Sequence, residues 1–177
     1  MAPSLAPLRP LDIIVVLAVH DFGNAPWTYA ALAKRLEVSD SQSHGAVQRA
    51  ASAHLLDAVG RSIRPYNLLE FLEHGIRYAF PVEPGPFTRG IPTGASAPPL
   101  NALLRRDSSG ELVWPDVNGS LMGQAVAPLH ASVPNVARQH ASLHQLFALV
   151  DALRVGGVRE RELAVRELRS RLEPSHG

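Results

Sequence analysis

The sequence lacks several features that would narrow its function at once. It contains no cysteine, which excludes a disulfide framework and thiolate metal ligands. Its longest apolar run, Ile13 to Val19, is much shorter than the roughly 20 residues that a membrane span requires. Asp12 precedes this run and no small-residue cleavage site follows it, so we do not predict a signal peptide. We expect a cytoplasmic protein without a membrane partner.

The sequence also lacks a strong charge of either sign. The formal net charge is +1 and the sequence pI is about 8.3, whereas domains that bind nucleic acids often have a pI above about 9. Arginine supplies nearly all of the positive charge, because Lys34 is the only lysine. Arginine can bind phosphate or a guanine edge through two donors. A general preference for arginine codons is the alternative explanation.

Two short helices joined by a tight turn are predicted between Trp27 and Leu56. The first has an apolar face at helical spacing, formed by Leu32, Ala33 and Leu36. Thr28 can cap its first turn, and we expect the helix to end near Glu37. Val38 would then fill the turn as an apolar plug.

The second helix is expected to begin among residues 39–41, since serine and aspartate favour helix N-caps. Its buried face would be formed by Ser43, Val47 and Ala50. Leu55 would close its far end. This order of elements and residue types resembles the helix-turn-helix of bacterial winged-helix regulators, the class that includes the MarR-like and IclR-like families. The resemblance is carried by Leu32, Ala33, Leu36, Val38, Ser39, Val47, Arg49, Leu55 and Leu56.

Two positions depart from the pattern of that class. Ser43 stands where a bulky aliphatic residue is usual, and His54 stands where a glycine is usual. The resemblance implies a mainly α fold with a small β-wing, and a protein that binds double-stranded DNA. Regulators of this class usually act as dimers, because two half-sites on DNA double the contacts.

The remaining parts of a winged-helix domain are assigned around this stretch. A helix from about Leu11 to Phe22 is expected to precede it, with a buried strand as the alternative. Residues 55–65 are interpreted as a small hairpin, the wing, with an ordinary loop between helices as the alternative. Arg61 and Arg64 of this segment would then point towards a DNA backbone.

The second helix would enter the major groove by its N-terminal part. Gln42, His44 and Gln48 are the candidates for contacts with base edges, since glutamine can pair with adenine. Ser41 and Arg49 would lie nearest the phosphates. Together with Arg61 and Arg64 they form the predicted DNA-binding site. The alternative is an ordinary helix whose polar side faces solvent.

The chain divides into three predicted parts. Residues 1–80 form the winged-helix domain, which would end with a helix from Leu68 to about Phe80, capped by Asn67, with Phe71 and Tyr78 covered on one side. Residues 81–132 are rich in proline and glycine and are expected to be largely irregular, with a short strand at 112–114. Residues 133–177 form a helical hairpin, with one helix from about Pro134 to Leu153 and another over 158–172. Each helix has an apolar side, formed in the first by Leu143, Leu146, Phe147, Val150 and Leu153 and in the second by Val158, Val165, Leu168 and Leu172. It could fold back on the first domain, meet a second copy, or bind a protein partner.

Enzyme motifs are weak. Residues 90–96 superficially resemble a phosphate loop but lack its Gly-Lys-Ser/Thr end. His140 and His144 have a spacing that can serve a metal, without the glutamate of the zincin pattern. We therefore predict a non-enzymatic transcriptional regulator without cofactor or metal. The alternatives are a protein-interaction module or antitoxin-like partner, and a small enzyme with a site in residues 81–99.

Overall fold

The computed structural model describes residues 6–59, 61–104 and 110–174. This part of the chain is mainly helical, with short strands between the helices. The helices are α1 (Pro10–Asp21), α2 (Tyr29–Leu36), α3 (Asp40–Ser52), α4 (Pro65–His74), α5 (Ile76–Ala79), α6 (Leu100–Leu103), α7 (Val133–Gln139), α8 (Ala141–Val155) and α9 (Val158–Leu172). The strands are β1 (Leu56–Asp57), β2 (Ser62–Ile63), β3 (Phe87–Pro92), β4 (Leu112–Pro115) and β5 (Leu121–Ala125).

Helix α1 is the centre of the core. Its residues from Leu11 to Val19 are all buried, as the apolar composition on most sides of the helix predicts. It packs against α2, α3 and α8. The prediction of a helix here, in place of a buried strand, is confirmed.

The local features of α2 and α3 match their predictions. The Thr28 hydroxyl accepts from the Ala31 amide at 3.0 Å, and α2 ends at Glu37, whose φ of 54° lies in the left-handed region. At the start of α3 the Ser39 hydroxyl accepts from the Gln42 amide at 3.1 Å. The Gln42 side chain in turn accepts from the Ser39 amide at 2.9 Å, which completes a capping box.

Strands β1 and β2 pair antiparallel, with Leu56 opposite Ile63. The hairpin prediction for this segment is confirmed. His54, at the position where the resembling class usually has glycine, has a φ of 59°. This left-handed conformation is the one that favours glycine, so the histidine keeps the glycine backbone conformation at this position.

The prediction for the next helix is partly wrong. Helix α4 begins at Pro65 after Arg64 as N-cap, and the Asn67 side chain donates to the His54 carbonyl at 2.7 Å instead of capping. Proline at the first helical position explains the earlier start, because its φ is already helical and it lacks an N–H. Gly75 separates α4 from α5, and the Tyr78 side chain is 74% exposed where cover was expected.

Residues 81–132 contain more strand than expected. Strand β3 pairs antiparallel with both β4 and β5, and β4 pairs parallel with β5, so the three strands close on one another. We call this unit the β3–β5 cluster. A Cβ added at Gly90 would lie 2.0 Å from the Trp114 carbonyl oxygen. Only glycine allows the backbones to approach this closely.

The C-terminal prediction of a single long helix is wrong at one point. His140 has φ −133° and ψ 95°, an extended conformation that separates α7 from α8. Helices α8 and α9 form the predicted hairpin across residues 156–157. The apolar stripe of α8 is buried as expected, at Leu143, Leu146, Phe147, Val150 and Leu153. Val158, predicted to share the apolar side of α9, is 65% exposed.

The helical hairpin folds back on the N-terminal half. Helix α8 packs on α1 and α9 packs on α4, so the apolar stripe of α8 is used within the chain. One continuous hydrophobic core includes residues from all three predicted parts. Among the described residues, no helix combines the length and apolar character needed to cross a membrane.

Candidate nucleic-acid interface

Helix α3 has one buried face and one solvent-facing polar face. Its buried residues are Ser43, Ala46, Val47 and Ala50, and they pack on α1 and α2. Four of the predicted DNA-binding residues are exposed on the same helix: Ser41, Gln42, His44 and Gln48. The structure therefore brings these four together on the open side of α3, supported from behind by two helices. We call these four residues the α3 polar face.

Two of the exposed side chains already have partners within the chain. The Gln42 carbonyl oxygen accepts from the Ser39 amide, so its amide nitrogen is the group left for an external partner. The His44 ring lies against the Tyr29 ring, with centroids 4.8 Å apart and planes at 53°. Tyr29 thus fixes where the imidazole of His44 lies. The other departure from the class pattern is also accommodated, because the buried Ser43 hydroxyl donates to the Tyr29 carbonyl at 3.3 Å.

Arg49 has a different partner from the one expected. Its guanidinium donates to the Asp12 carboxylate, at 2.7 Å from the terminal nitrogen and at 3.0 and 3.1 Å from Nε. Asp12 is fully buried and the Arg49 side chain is only 16% exposed. An isolated buried carboxylate is very costly, so this pair holds α1 and α3 together. A phosphate contact by Arg49, as predicted, would require breaking it.

Arg35, a second arginine near the turn between α2 and α3, is also paired with a carboxylate. Arg35 forms an ion pair with Asp21, and its guanidinium carbon lies 4.8 Å from the centre of the Phe22 ring. Both partners belong to the end of α1. Arg35 therefore ties α2 to α1, which leaves Lys34 as the exposed cation of α2.

The two arginines of the β1–β2 hairpin differ from each other. Arg61 donates from its guanidinium to the Trp27 carbonyl at 2.8 Å and lies over two aromatic rings, Trp27 and Tyr29. Arg64 is exposed. Within the described part of the chain its side chain has no hydrogen bond or ion pair, so its guanidinium is available to an external anion.

Acidic groups lie among these cations. Glu37, at the end of α2, accepts from the side-chain amides of Asn135 and Gln139 at 2.6 Å, which attaches the turn before α3 to α7. Asp40 is exposed at the start of α3. Asp57 in the hairpin accepts from the Val59 amide at 3.0 Å. The surface around α3 is therefore of mixed charge, and strong non-specific DNA affinity is not expected from it.

Three residues of this region were not singled out as site residues from the sequence: Asp12, Trp27 and Tyr29. Asp12 had a detectable signal, because a carboxylate in a helix that is apolar on most sides needs a buried partner. No spacing in the sequence indicates that the partner is Arg49. Trp27 and Tyr29 acquire their role only when the hairpin folds next to α2.

The polar residues considered for an enzyme site, in residues 81–99 and at His144, do not come together in one place. Thr93 is fully buried and donates to Asp151 at 2.8 Å, whereas Arg89 is exposed and donates to the Gly119 carbonyl at 3.3 Å. His144 Nε2 lies 2.7 Å from the Pro92 carbonyl oxygen. Over residues 6–59, 61–104 and 110–174, no three His, Cys, Asp or Glu side chains are grouped so that they could hold a metal ion.

Comparison with known proteins adds no assignment: no protein-family model, curated protein or solved structure matches the chain. The function therefore has to be argued from the geometry of α3 and the β1–β2 hairpin.

Proposed function

We propose that this chain is a winged-helix protein that binds double-stranded DNA through α3 and the β1–β2 hairpin, and that it controls transcription by occupying an operator. The observation that carries the proposal is the α3 polar face, which is exposed while the opposite side of α3 packs on α1 and α2. The order of three helices followed by a two-stranded hairpin supports the same assignment.

The chemistry of the α3 polar face suits base edges. The Gln48 amide supplies both a donor and an acceptor, the pattern that pairs with adenine in the major groove. Gln42 offers its amide nitrogen as a donor, because its oxygen accepts from the Ser39 amide. His44 adds a ring nitrogen whose position is set by Tyr29. Ser41 at the start of the helix and Arg64 in the hairpin would contact the backbone on either side, since phosphate contacts fix the register of a protein on DNA.

Dimerisation belongs to the same proposal. Two half-sites on DNA call for two copies of the reading helix. The apolar stripe of α8 is already buried on α1, so it does not supply the contact between copies. The outer side of α9 is charged and exposed at Arg159, Glu162 and Arg166, and a dimer through this hairpin would be polar.

The first test is a binding titration with mixed genomic fragments at about 50 and 200 mM salt. We expect retardation that weakens steeply as the salt concentration rises. Gln48→Ala should weaken binding to a retarded fragment about tenfold, in the lower part of the range that one base contact contributes. Arg64→Ala should also lower the salt slope by about 0.9 because one phosphate contact is lost. Arg77→Ala, which removes an arginine of α5 outside both the α3 surface and the α9 surface, is the matched control and should bind as the unmodified chain does.

The mixed charge around α3 favours a second candidate. With Arg35 and Arg49 both paired to aspartates, the same face could bind a protein, as an interaction module or antitoxin-like partner. A photo-crosslinking residue placed at Gln48 discriminates the two in an extract of the source cells. Capture of DNA supports the first proposal. Capture of one protein, together with no retardation of DNA at micromolar concentration, replaces it with the second.

A further inference from the structure

The hairpin and the N-terminus of α2 are joined by a reciprocal pair of hydrogen bonds. The Trp27 indole N–H donates to the Arg61 carbonyl at 2.9 Å, and the Arg61 guanidinium donates to the Trp27 carbonyl at 2.8 Å. These residues are separated by 34 positions in sequence. Both bonds run between the same two residues, so they fix the position and the direction of the hairpin.

Aromatic contacts extend this link to α3. The guanidinium carbon of Arg61 lies 5.4 Å from the centre of the Trp27 ring and 5.5 Å from that of Tyr29, within the range of a cation–π interaction. Trp27 and Tyr29 themselves meet edge to face at 5.8 Å. On its other side Tyr29 contacts His44 at 4.8 Å. A continuous series of side-chain contacts, Arg61–Trp27–Tyr29–His44, thus connects the hairpin to the α3 polar face; we call it the aromatic bracket.

The backbone of Arg61 shows that this position is held in place. Its φ is 52°, in the left-handed region that residues other than glycine adopt rarely. Such a conformation persists only where the surrounding contacts determine it. Both arginines are exposed, but the Arg64 side chain is free of partners among the residues that the structure describes, whereas that of Arg61 contacts Trp27 and Tyr29.

We propose that Arg61 is a positioning residue, which through the aromatic bracket sets the hairpin and the His44 ring in one fixed geometry, and that Arg64 is the cation with which the hairpin contacts a phosphate. The first part concerns the folded chain alone. The second part rests on the proposed DNA binding. Of the two arginines predicted to face a DNA backbone, only Arg64 would then do so.

The first experiment needs no DNA. Hydrogen exchange is measured by NMR at the Trp27 indole N–H and at the Arg64 amide, which donates to the Leu55 carbonyl at 2.9 Å. Arg61→Lys keeps the charge but loses the planar group that donates and stacks. It should raise both exchange rates about tenfold, because the hairpin opens more often, whereas Arg64→Lys should leave them unchanged. Unchanged exchange in Arg61→Lys would overturn the positioning role.

The second experiment compares the same variants on DNA. Arg61→Lys should lose about tenfold in affinity with an unaltered salt slope, because no phosphate contact is removed. Arg64→Ala, in contrast, should lower the salt slope by about 0.9, because one phosphate contact is lost. If Arg61→Lys binds normally while Arg61→Ala lowers the slope, Arg61 is itself the phosphate contact and the inference is wrong.

Two variants of Tyr29 test the aromatic bracket independently, in case the Arg61 variants do not fold. Tyr29→Phe keeps the ring and should behave as the unmodified chain does, whereas Tyr29→Leu should reproduce both the faster exchange and the weaker binding of Arg61→Lys. If the unmodified chain binds no DNA, the proposed function fails. The exchange measurements then still decide whether the aromatic bracket positions the hairpin.

Discussion

Two aspartates of this chain are buried beside an arginine, and their surroundings differ. Asp12 on α1 is paired with Arg49 of α3, 37 positions away, and also accepts from the Arg9 amide at 2.8 Å. Asp151 on α8 is paired with Arg154 of the same helix at 2.8 Å. The arginine paired with Asp12 thus belongs to another helix, whereas the arginine paired with Asp151 belongs to the same helix.

Asp151 makes its long-range connections through neutral donors. The Trp114 indole of β4 donates at 2.6 Å and the hydroxyl of Thr93, the residue after β3, donates at 2.8 Å. Arg154 continues the network by donating to the carbonyls of Phe80 and Ala127. Asp151 therefore connects α8 to the β3–β5 cluster and, through Arg154, to the end of α5. Asp12, through Arg49, connects α1 to α3.

The comparison teaches that one residue type can serve two parts of the fold in different ways. Replacing a buried ion pair by apolar residues is often neutral, but removing one member leaves an uncompensated charge. The Asp12 pair can be replaced as a unit, because its two side chains mainly satisfy each other. Asp151 cannot be replaced in this way, because three other side chains depend on its two oxygens.

The largest effect is expected when Asp151 is replaced by leucine. Asp151→Leu leaves Trp114, Thr93 and Arg154 without their shared acceptor, and each buried unpaired donor costs about 1–3 kcal/mol. We expect the free energy of unfolding to fall by about 4–5 kcal/mol, measured by urea denaturation. Asp151→Asn, which retains one acceptor oxygen, should cost about half as much. A loss below about 1 kcal/mol for Asp151→Leu would contradict the central role of this network.

The second prediction concerns Asp12 and Arg49. Arg49→Met should lower the free energy of unfolding by about 3–5 kcal/mol, because it leaves Asp12 charged and unpaired in the core. The double change Asp12→Leu with Arg49→Met should recover most of that loss, which a double-mutant cycle measures. No recovery would show that the two side chains do not act as a unit.

The same double variant separates the structural role of Arg49 from its predicted role on DNA. If Arg49 acts only on Asp12, the recovered protein should bind DNA with the affinity and salt slope of the unmodified chain. A lower salt slope in a protein of recovered stability would show that Arg49 also contacts a phosphate, as the sequence suggests.

Features set by neighbouring residues in sequence could be predicted for this fold. The Thr28 and Ser39 caps, the end of α2 at Glu37 and the 158–172 helix are examples, because each depends on groups within one helical turn. The start of α4 at Pro65 also has a local signal, proline at the first helical position, but the predicted cap was wrong because the Asn67 side chain donates to the His54 carbonyl. No glycine lies at the break between α7 and α8 at His140, and no neighbouring residue indicates that the helix ends there.

The candidate site also contains features that could be predicted from the sequence and features that could not. The exposed side of α3 follows from helical spacing, and Ser41, Gln42, His44 and Gln48 do share it. Which arginines are free could not be predicted, because that depends on partners far away in the sequence. Asp12 lies 37 positions from Arg49, and Trp27 lies 34 positions from Arg61. The short strand at 112–114 corresponds to β4, but β3 and the pairing of the three strands were not predicted, since that pairing involves residues on either side of a long connection.

The smallest expected effect is that of Thr93→Val, which removes a single donor from Asp151 and keeps the shape of the side chain. Burial raises the pKa of the Asp151 carboxyl above its ordinary value, while Arg154 and the hydrogen bonds from Thr93 and Trp114 act in the opposite direction. Loss of the Thr93 bond should therefore raise the pKa of Asp151 further, because that bond favours the charged form.

The sign of the pH dependence follows from this shift. A carboxyl with a raised pKa holds its proton in the folded chain where the unfolded chain has lost it, so its contribution to stability falls as pH rises from about 3.9 through the raised value. Thr93→Val should lower the free energy of unfolding by about 1 kcal/mol once the pH exceeds that range, and by less near pH 4. Urea denaturation at several pH values measures the difference. A cost that does not vary with pH would mean that the Thr93 hydroxyl does not favour the charged form of Asp151 over its protonated form.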